Sequence, residues 1–170
     1  MRDSARALVI MADDDVDDCL LIDLAFGMCH PDSDLRYVNN GEELMEWLRG
    51  QDDFADRERT PKPSLILLDL NMPKKDGFDA LKEIKADPHL QAIPVIVFST
   101  SEREQDILRS YRYGASWFVT KPESFDDLIE VVRSFSRYWA SQEESFPKKE
   151  QRRAGGRGNR KEKDEATLSR

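Results

Sequence analysis

The chain has 170 residues, enough for one domain of common size and some excess. It carries −8 at pH 7; residues 143–170 hold nine Lys or Arg against six Asp or Glu, so residues 1–142 carry −11. An acidic body of this kind repels nucleic-acid phosphates, and the apolar run near the N-terminus is too short for a signal peptide or a membrane span.

Residues 7–12 are an apolar run without polar alternation, the pattern of a strand buried on both faces. It stops at Asp13, Asp14 and Asp15. From Val16 to Cys29 apolar residues recur at Leu20, Leu21, Leu24, Ala25 and Met28, which is helical spacing. The thiols of Cys19 and Cys29 have no metal-ligand spacing and are expected to be reduced core thiols. Residues 35–38 read as a short strand closed by Asn39, Asn40 and Gly41. Residues 42–49 place Leu44, Met45, Trp47 and Leu48 on a helix.

Residues 50–63 are polar, end in Thr60-Pro61-Lys62-Pro63, and read as a long exposed connection. Residues 64–70 form a second apolar strand interrupted only by Asp69. A helix over 77–86 ends at Asp87-Pro88, because the residue before proline is pushed out of helical geometry. Residues 95–99 are a third buried strand, 102–113 a helix stopped at Gly114, and 117–120 the last strand. Residues 125 to about 142 form a final helix with Leu128, Val131, Val132 and Phe135 along its buried side. The expected folded body is thus residues 1–142. Residues 143–170, with Gly155, Gly156 and Gly158 among basic residues, are expected to be a disordered tail.

Strand and helix alternate five times, which predicts an α/β fold: a doubly wound parallel sheet with helices on both faces. Ligands bind such sheets at the carboxyl ends of the strands. There the chain places Asp13, Asp14 and Asp15, then Asp69, then Ser99, then Lys121-Pro122. An acidic triplet alone is commonly a solvated turn or a helix cap, and a lone Lys-Pro a loop. Asp69 is different. It closes an apolar strand, where a carboxylate is costly unless paired or bound to a cation.

Together these groups suit phosphoryl transfer to a carboxylate. Asp69 would be the nucleophile. Asp13 and Asp14 would help to hold magnesium (Mg2+), a hard cation that takes oxygen ligands. Lys121 would supply a movable charge and Ser99 a hydroxyl for the phosphoryl oxygens. No glycine-rich phosphate loop is present, so a nucleotide site is not indicated.

The segments Ala12-Asp13-Asp14-Asp15, Leu67-Leu68-Asp69-Leu70-Asn71-Met72-Pro73, Asp76-Gly77, Pro94-Val95-Ile96-Val97-Phe98-Ser99, Gly114-Ala115 and Phe118-Val119-Thr120-Lys121-Pro122 strongly resemble the receiver domain of two-component response regulators. The match covers about residues 5–140. The resemblance implies a flavodoxin-like, five-stranded sheet in the order 2-1-3-4-5 and phosphorylation of Asp69 by a sensor histidine kinase. It implies Asp14 as the direct magnesium ligand, Asp13 acting mostly through water, and the backbone carbonyl of Asn71 as a third protein ligand. Ser99 becomes the switch hydroxyl and Phe118 the switch aromatic, with ring packing alone to carry the signal. The Lys121-Pro122 peptide is expected to be cis.

Within the family, residues 50–63, Leu70-Asn71-Met72-Pro73-Lys74, Ser110-Tyr111 and Tyr138-Trp139 resemble the small regulators paired with bacterial phytochrome kinases. Those regulators often lack an output domain and pair through the face of the fourth helix, fifth strand and fifth helix. A homodimer through residues 102–142 is therefore expected, with Tyr138 and Trp139 exposed on it. A cytoplasmic location is expected, and the protein is expected to be a signalling module rather than an enzyme. Rival readings are weaker. A phosphatase of the haloacid-dehalogenase type needs an aspartate where Asn71 stands. A phosphorylation-independent adaptor has no need of Asp13, Asp14, Asp69, Ser99 and Lys121 together. Nucleic-acid binding by the tail competes with a plain solvated linker.

Overall fold

The computed structural model describes residues 6–50 and 62–139. Most of the polar connection, the end of the last expected helix and the basic tail lie outside the described residues. Strand and helix alternate as β1 (Leu8–Ala12), α1 (Val16–Cys29), β2 (Asp34–Val38), α2 (Gly41–Arg49), β3 (Leu65–Leu68), α3 (Gly77–Ala86), β4 (Val95–Ser99), α4 (Glu104–Arg112), β5 (Trp117–Thr120) and α5 (Phe125–Ser134). The strands pair in parallel in the order β2-β1-β3-β4-β5, as expected.

The apolar strand sequences follow from this topology. β1 is paired on both sides, with Ile10 opposite Arg36 of β2 and Ile66 of β3. Alternate side chains leave a strand on opposite faces. Val9, Met11, Leu65, Leu67, Ile96 and Phe98 pack with Ile22, Phe26, Leu128, Val132 and Phe135 of α1 and the α5 region. Ile10, Ala12, Ile66, Leu68, Val95 and Val97 pack with residues of α2 and α3, including Leu44, Leu81 and Ile84. Both faces are covered, so no central position tolerates a polar residue without a partner. Each such aliphatic side chain contributes about 1.5–3 kcal/mol through burial.

Helix starts are set by local capping. The Asp15 carboxylate accepts from the Asp17 and Asp18 amides, Asn40 from Glu43, Asp76 from Asp79, and Ser124 from Asp127. These side chains satisfy amides that have no partner inside the helix. Gly50 closes α2 with φ 65°, in the left-handed region that glycine enters without strain.

One side-chain expectation is corrected, and α1 shows a choice that its spacing left open. Of the residues whose spacing marked α1, Leu20 is 59 %, Leu24 60 % and Met28 68 % exposed, while Ile22, Ala25 and Phe26 are buried. α1 is apolar on two sides, and periodicity alone does not choose between two stripes. At the other end of the chain, α5 stops at Ser134 and a further helical turn covers residues 136–139. Tyr138 and Trp139 are half-buried against the α1/α5 core rather than exposed. Trp139 stands edge-on to His30 at 4.8 Å and lies 6.5 Å from Phe26. For Trp139 the end of α1 supplies the cover that a count of core residues did not reveal. Cys19 and Cys29 are half-buried free thiols.

Candidate functional site

Adjacent strands bring two carboxylates together. The Asp13 amide donates to the Val38 carbonyl at 3.1 Å and the Asp69 amide to the Ala12 carbonyl at 3.0 Å, which fixes both residues just past the ends of β1 and β3. Both side chains are buried, whereas Asp14 is exposed. Ligating oxygens of Asp13, Asp14 and Asp69 all lie within 4.8 Å of one another. Asp13 is further fixed by accepting from the Asp15 amide at 2.9 Å, while Asp15 caps α1.

Lys121 approaches from beyond β5. Its amide donates to the Ser99 carbonyl at 2.8 Å. Its ammonium donates to Asp13 Oδ2 at 2.7 Å and Asp18 Oδ2 at 2.6 Å, and stands 3.7 Å from Asp69 Oδ2. The Lys121-Pro122 peptide is trans, since no cis bond occurs among the described residues. This corrects the cis expectation: the lysine reaches all three carboxylates from a trans bond. Ser99 is fully buried, and its hydroxyl oxygen accepts from the Ser101 amide at 3.2 Å.

Burial raises the Asp69 pKa to about 6; the Asp13 charge adds to this, while Lys121 and the Leu70 and Asn71 amides oppose it. Burial also pushes the Asp13 carboxyl up, against the bond from Lys121. For Lys121 burial disfavours the charge, but the bonds to Asp13 and Asp18 and the field of Asp69 outweigh it, and its pKa is raised. Asp13, Asp18 and Asp69 thus face one ammonium, with Asp14 beside Asp13 and Asp69. That negative excess, presented by an all-oxygen donor set with two buried members, fits a hard divalent cation.

The structure brings Asp13, Asp14, Asp69 and Lys121 into one site, with Ser99 and Asn71 at the same strand ends. Phe118 is buried among the side chains on the α2 and α3 face. Its backbone amide, on the outer edge of β5, donates to the Tyr111 hydroxyl at 3.1 Å. Sequence reasoning missed Asp18 as a partner of Lys121. The signal was present: once Asp15 caps α1, Asp18 falls in the first helical turn, beside the strand ends.

The response regulator receiver domain model matches residues 9–133. The chain belongs to this family. Over 132 residues this receiver is 35 % identical to response regulator Rcp1 of Synechocystis sp., a match covering 78 % of this chain and 88 % of that protein. It is also similar to the crystal structure of the phosphorylated cyanobacterial phytochrome response regulator RcpA, with a TM-score of 0.73, 37 % identity, and coverage of 81 % of this chain and 96 % of that one. The Mn(2+)-bound form of Rcp1 superposes with a TM-score of 0.69 at 34 % identity, covering 78 % and 94 % of the two chains. This receiver is a phosphorelay response regulator of two-component signalling, similar to single-domain phytochrome response regulators. Among its described residues no helix is long and apolar enough to cross a membrane.

Proposed function

We propose that the receiver takes a phosphoryl group on Asp69 from a sensor histidine kinase, of phytochrome type, in the cytoplasm. The observation that carries this reading is the buried Asp69 carboxylate at the end of an apolar strand, with Lys121 at 3.7 Å and oxygens of Asp13 and Asp14 within 4.8 Å. A carboxylate oxygen of Asp69 attacks phosphorus, and the bond from phosphorus to the donor's imidazole nitrogen breaks. The electron pair of that bond stays on the nitrogen, and an aspartyl phosphate remains. Ser99 and Lys121 take phosphoryl oxygens, one as a hydroxyl donor and the other as a charge. Asp14, Asp13, Asp69 and the Asn71 carbonyl would hold magnesium. When bound, the ion neutralises charge on the transferring group.

The switch runs from Ser99 to Phe118, which lie on neighbouring strands β4 and β5. The domain spans residues 1–142, followed by a basic tail over 143–170. The excess acid of the body disfavours nucleic acid as its partner. The test is incubation with acetyl phosphate or a phytochrome-type kinase in the presence of magnesium, with mass spectrometry locating the phosphate. Label on a residue other than Asp69, or no label at all, refutes the reading. The phosphorylated form of RcpA supports it.

Magnesium binding is expected to be weak and to depend most on Asp14, the exposed carboxylate open to a hydrated ion. Asp14→Ala should lower affinity about ten-fold, ~1.4 kcal/mol, in calorimetry. An unchanged affinity removes Asp14 from the metal site.

The receiver pairs as a homodimer through α4, β5 and α5. With Tyr138 and Trp139 half-buried, the most exposed apolar groups of the face are on α4, where Leu108 is 57 % and Tyr111 45 % exposed. Sedimentation should show a dimer that tightens with beryllofluoride and is lost in Leu108→Glu. Monomers with and without the mimic sink the idea.

A further inference from the structure

Lys121 has two firm partners in this structure, and only one belongs to the strand-end site. Asp13 Oδ2 is at 2.7 Å; the other, Asp18 Oδ2 at 2.6 Å, belongs to the first turn of α1. Asp69, the acceptor, is the distant one at 3.7 Å. The place of Asp18 is set locally. Its amide donates to the capping carboxylate of Asp15 at 3.2 Å, so its side chain is aimed by the same turn that starts the helix. An acidic residue in a first helical turn needs no special role, because the helix dipole favours it there. Asp18, however, also grips a lysine 103 residues away, and the Lys121 side chain is only 9 % exposed.

We propose that Asp18 is a positioning residue that holds Lys121 off Asp69 until a phosphoryl group arrives. An ammonium carries three donors. Asp13 and Asp18 take two of them at hydrogen-bond distance, and the contact with Asp69 is long. A phosphoryl group on Asp69 brings three strong acceptor oxygens and roughly −2 charge. It competes with Asp18 for the same ammonium. Asp13, buried beneath the lysine, remains its pivot. Asp18, with 28 % of its side chain exposed, is the partner that water can replace at least cost. The acid on α1 therefore favours the unphosphorylated state, and the loaded state requires Lys121 to leave it. Lys121 also lies 5.8 Å from the centre of the Phe98 ring, a wall along which it can slide.

This inference rests on the phosphoacceptor reading and extends it to a residue outside the strand ends. Asp18→Asn keeps an acceptor oxygen and sheds the charge; Asp18→Ala sheds both. Each should speed phosphoryl uptake from acetyl phosphate, and tighten beryllofluoride binding in calorimetry, by roughly five-fold, the upper size of a partly exposed charge pair. Asp17→Asn removes an equal charge one residue away, where no contact with Lys121 exists among the described residues, and should match the wild type. In the metal-free protein, the nitrogen-15 NMR signal of the Lys121 ammonium should be sharp in the wild type and broadened in Asp18→Ala. An unaltered ammonium signal overturns the proposal. So does equal acceleration by Asp17→Asn, which would mark a general charge effect, and so does uptake in Asp18→Ala no faster than in the wild type. A wild type that takes up no phosphoryl group would instead overturn the phosphoacceptor reading and this inference with it.

Discussion

Asp69→Asn is expected to abolish phosphoryl uptake and at the same time to stabilise the fold. The amide carries no charge and its oxygen is a far weaker nucleophile than a carboxylate, so uptake from acetyl phosphate should fall by more than about 100-fold. The stability gain follows from burial. The carboxyl has an ordinary pKa of 3.8 and is raised to about 6 in the folded protein. Below about pH 3 the group is protonated in both states and costs nothing. As pH rises, the unfolded chain releases its proton first, so wild-type stability falls through the window. Above about pH 6 the folded state carries the full penalty of about 2–3 kcal/mol. Asn cannot titrate. Its advantage over the wild type should therefore grow from nearly zero at about pH 3 to that value at about pH 7. Urea denaturation of both proteins in chelator measures it. A difference that does not change with pH would show that Asp69 is not held in a desolvated state. A mutant that still takes up phosphate at the wild-type rate would show that another residue is the acceptor.

Among the described glycines, Gly77→Ala should be the most damaging substitution. Gly77 is the first residue of α3, and its amide donates to the Leu70 carbonyl at 3.0 Å. A Cβ there would overlap the Asp69 carbonyl oxygen and stand 2.8 Å from the Leu70 Cα. Both are backbone atoms, so no side chain can turn aside. The strand end or the helix must shift. We expect a loss of about 3 kcal/mol or more in denaturant unfolding, at the upper end of overpacking effects. Phosphoryl uptake should slow as well, because the atom displaced belongs to Asp69. Gly27→Ala is the contrast. Nothing lies within 4 Å of a Cβ at Gly27, inside α1, so Ala should stabilise by about 0.5–1 kcal/mol through helix propensity. Equal stability of Gly77→Ala and the wild type would mean that α3 and the strand end do not touch as described.

Much of the molecule was legible in its sequence for reasons that can be named. A parallel sheet covered on both faces requires unbroken apolar strands, so residues 8–12, 65–68 and 95–99 announced themselves, and with them the strand ends. Polar groups there stand out because an apolar strand has no other use for them. Asp13, Asp69, Ser99 and Lys121 were found that way, and alternation of strand and helix set the fold class. The tertiary structure decided what depends on distance through space. α1 carries two apolar stripes, and only its docking on Val9, Met11 and the α5 region selects Ile22, Ala25 and Phe26 for burial over Leu20, Leu24 and Met28. Tyr138 and Trp139 read as an exposed aromatic pair, but both are half-buried against the core, and Phe26 and His30 at the end of α1, some 110 residues earlier in the chain, meet the Trp139 ring. The same holds within the site. Composition and periodicity report which residues meet water; they carry no term for which carboxylate a flexible lysine will choose. That choice, Asp13 and Asp18 before Asp69, is made by the cap that turns α1 toward the sheet and by the low polarity that makes an unpaired ammonium costly.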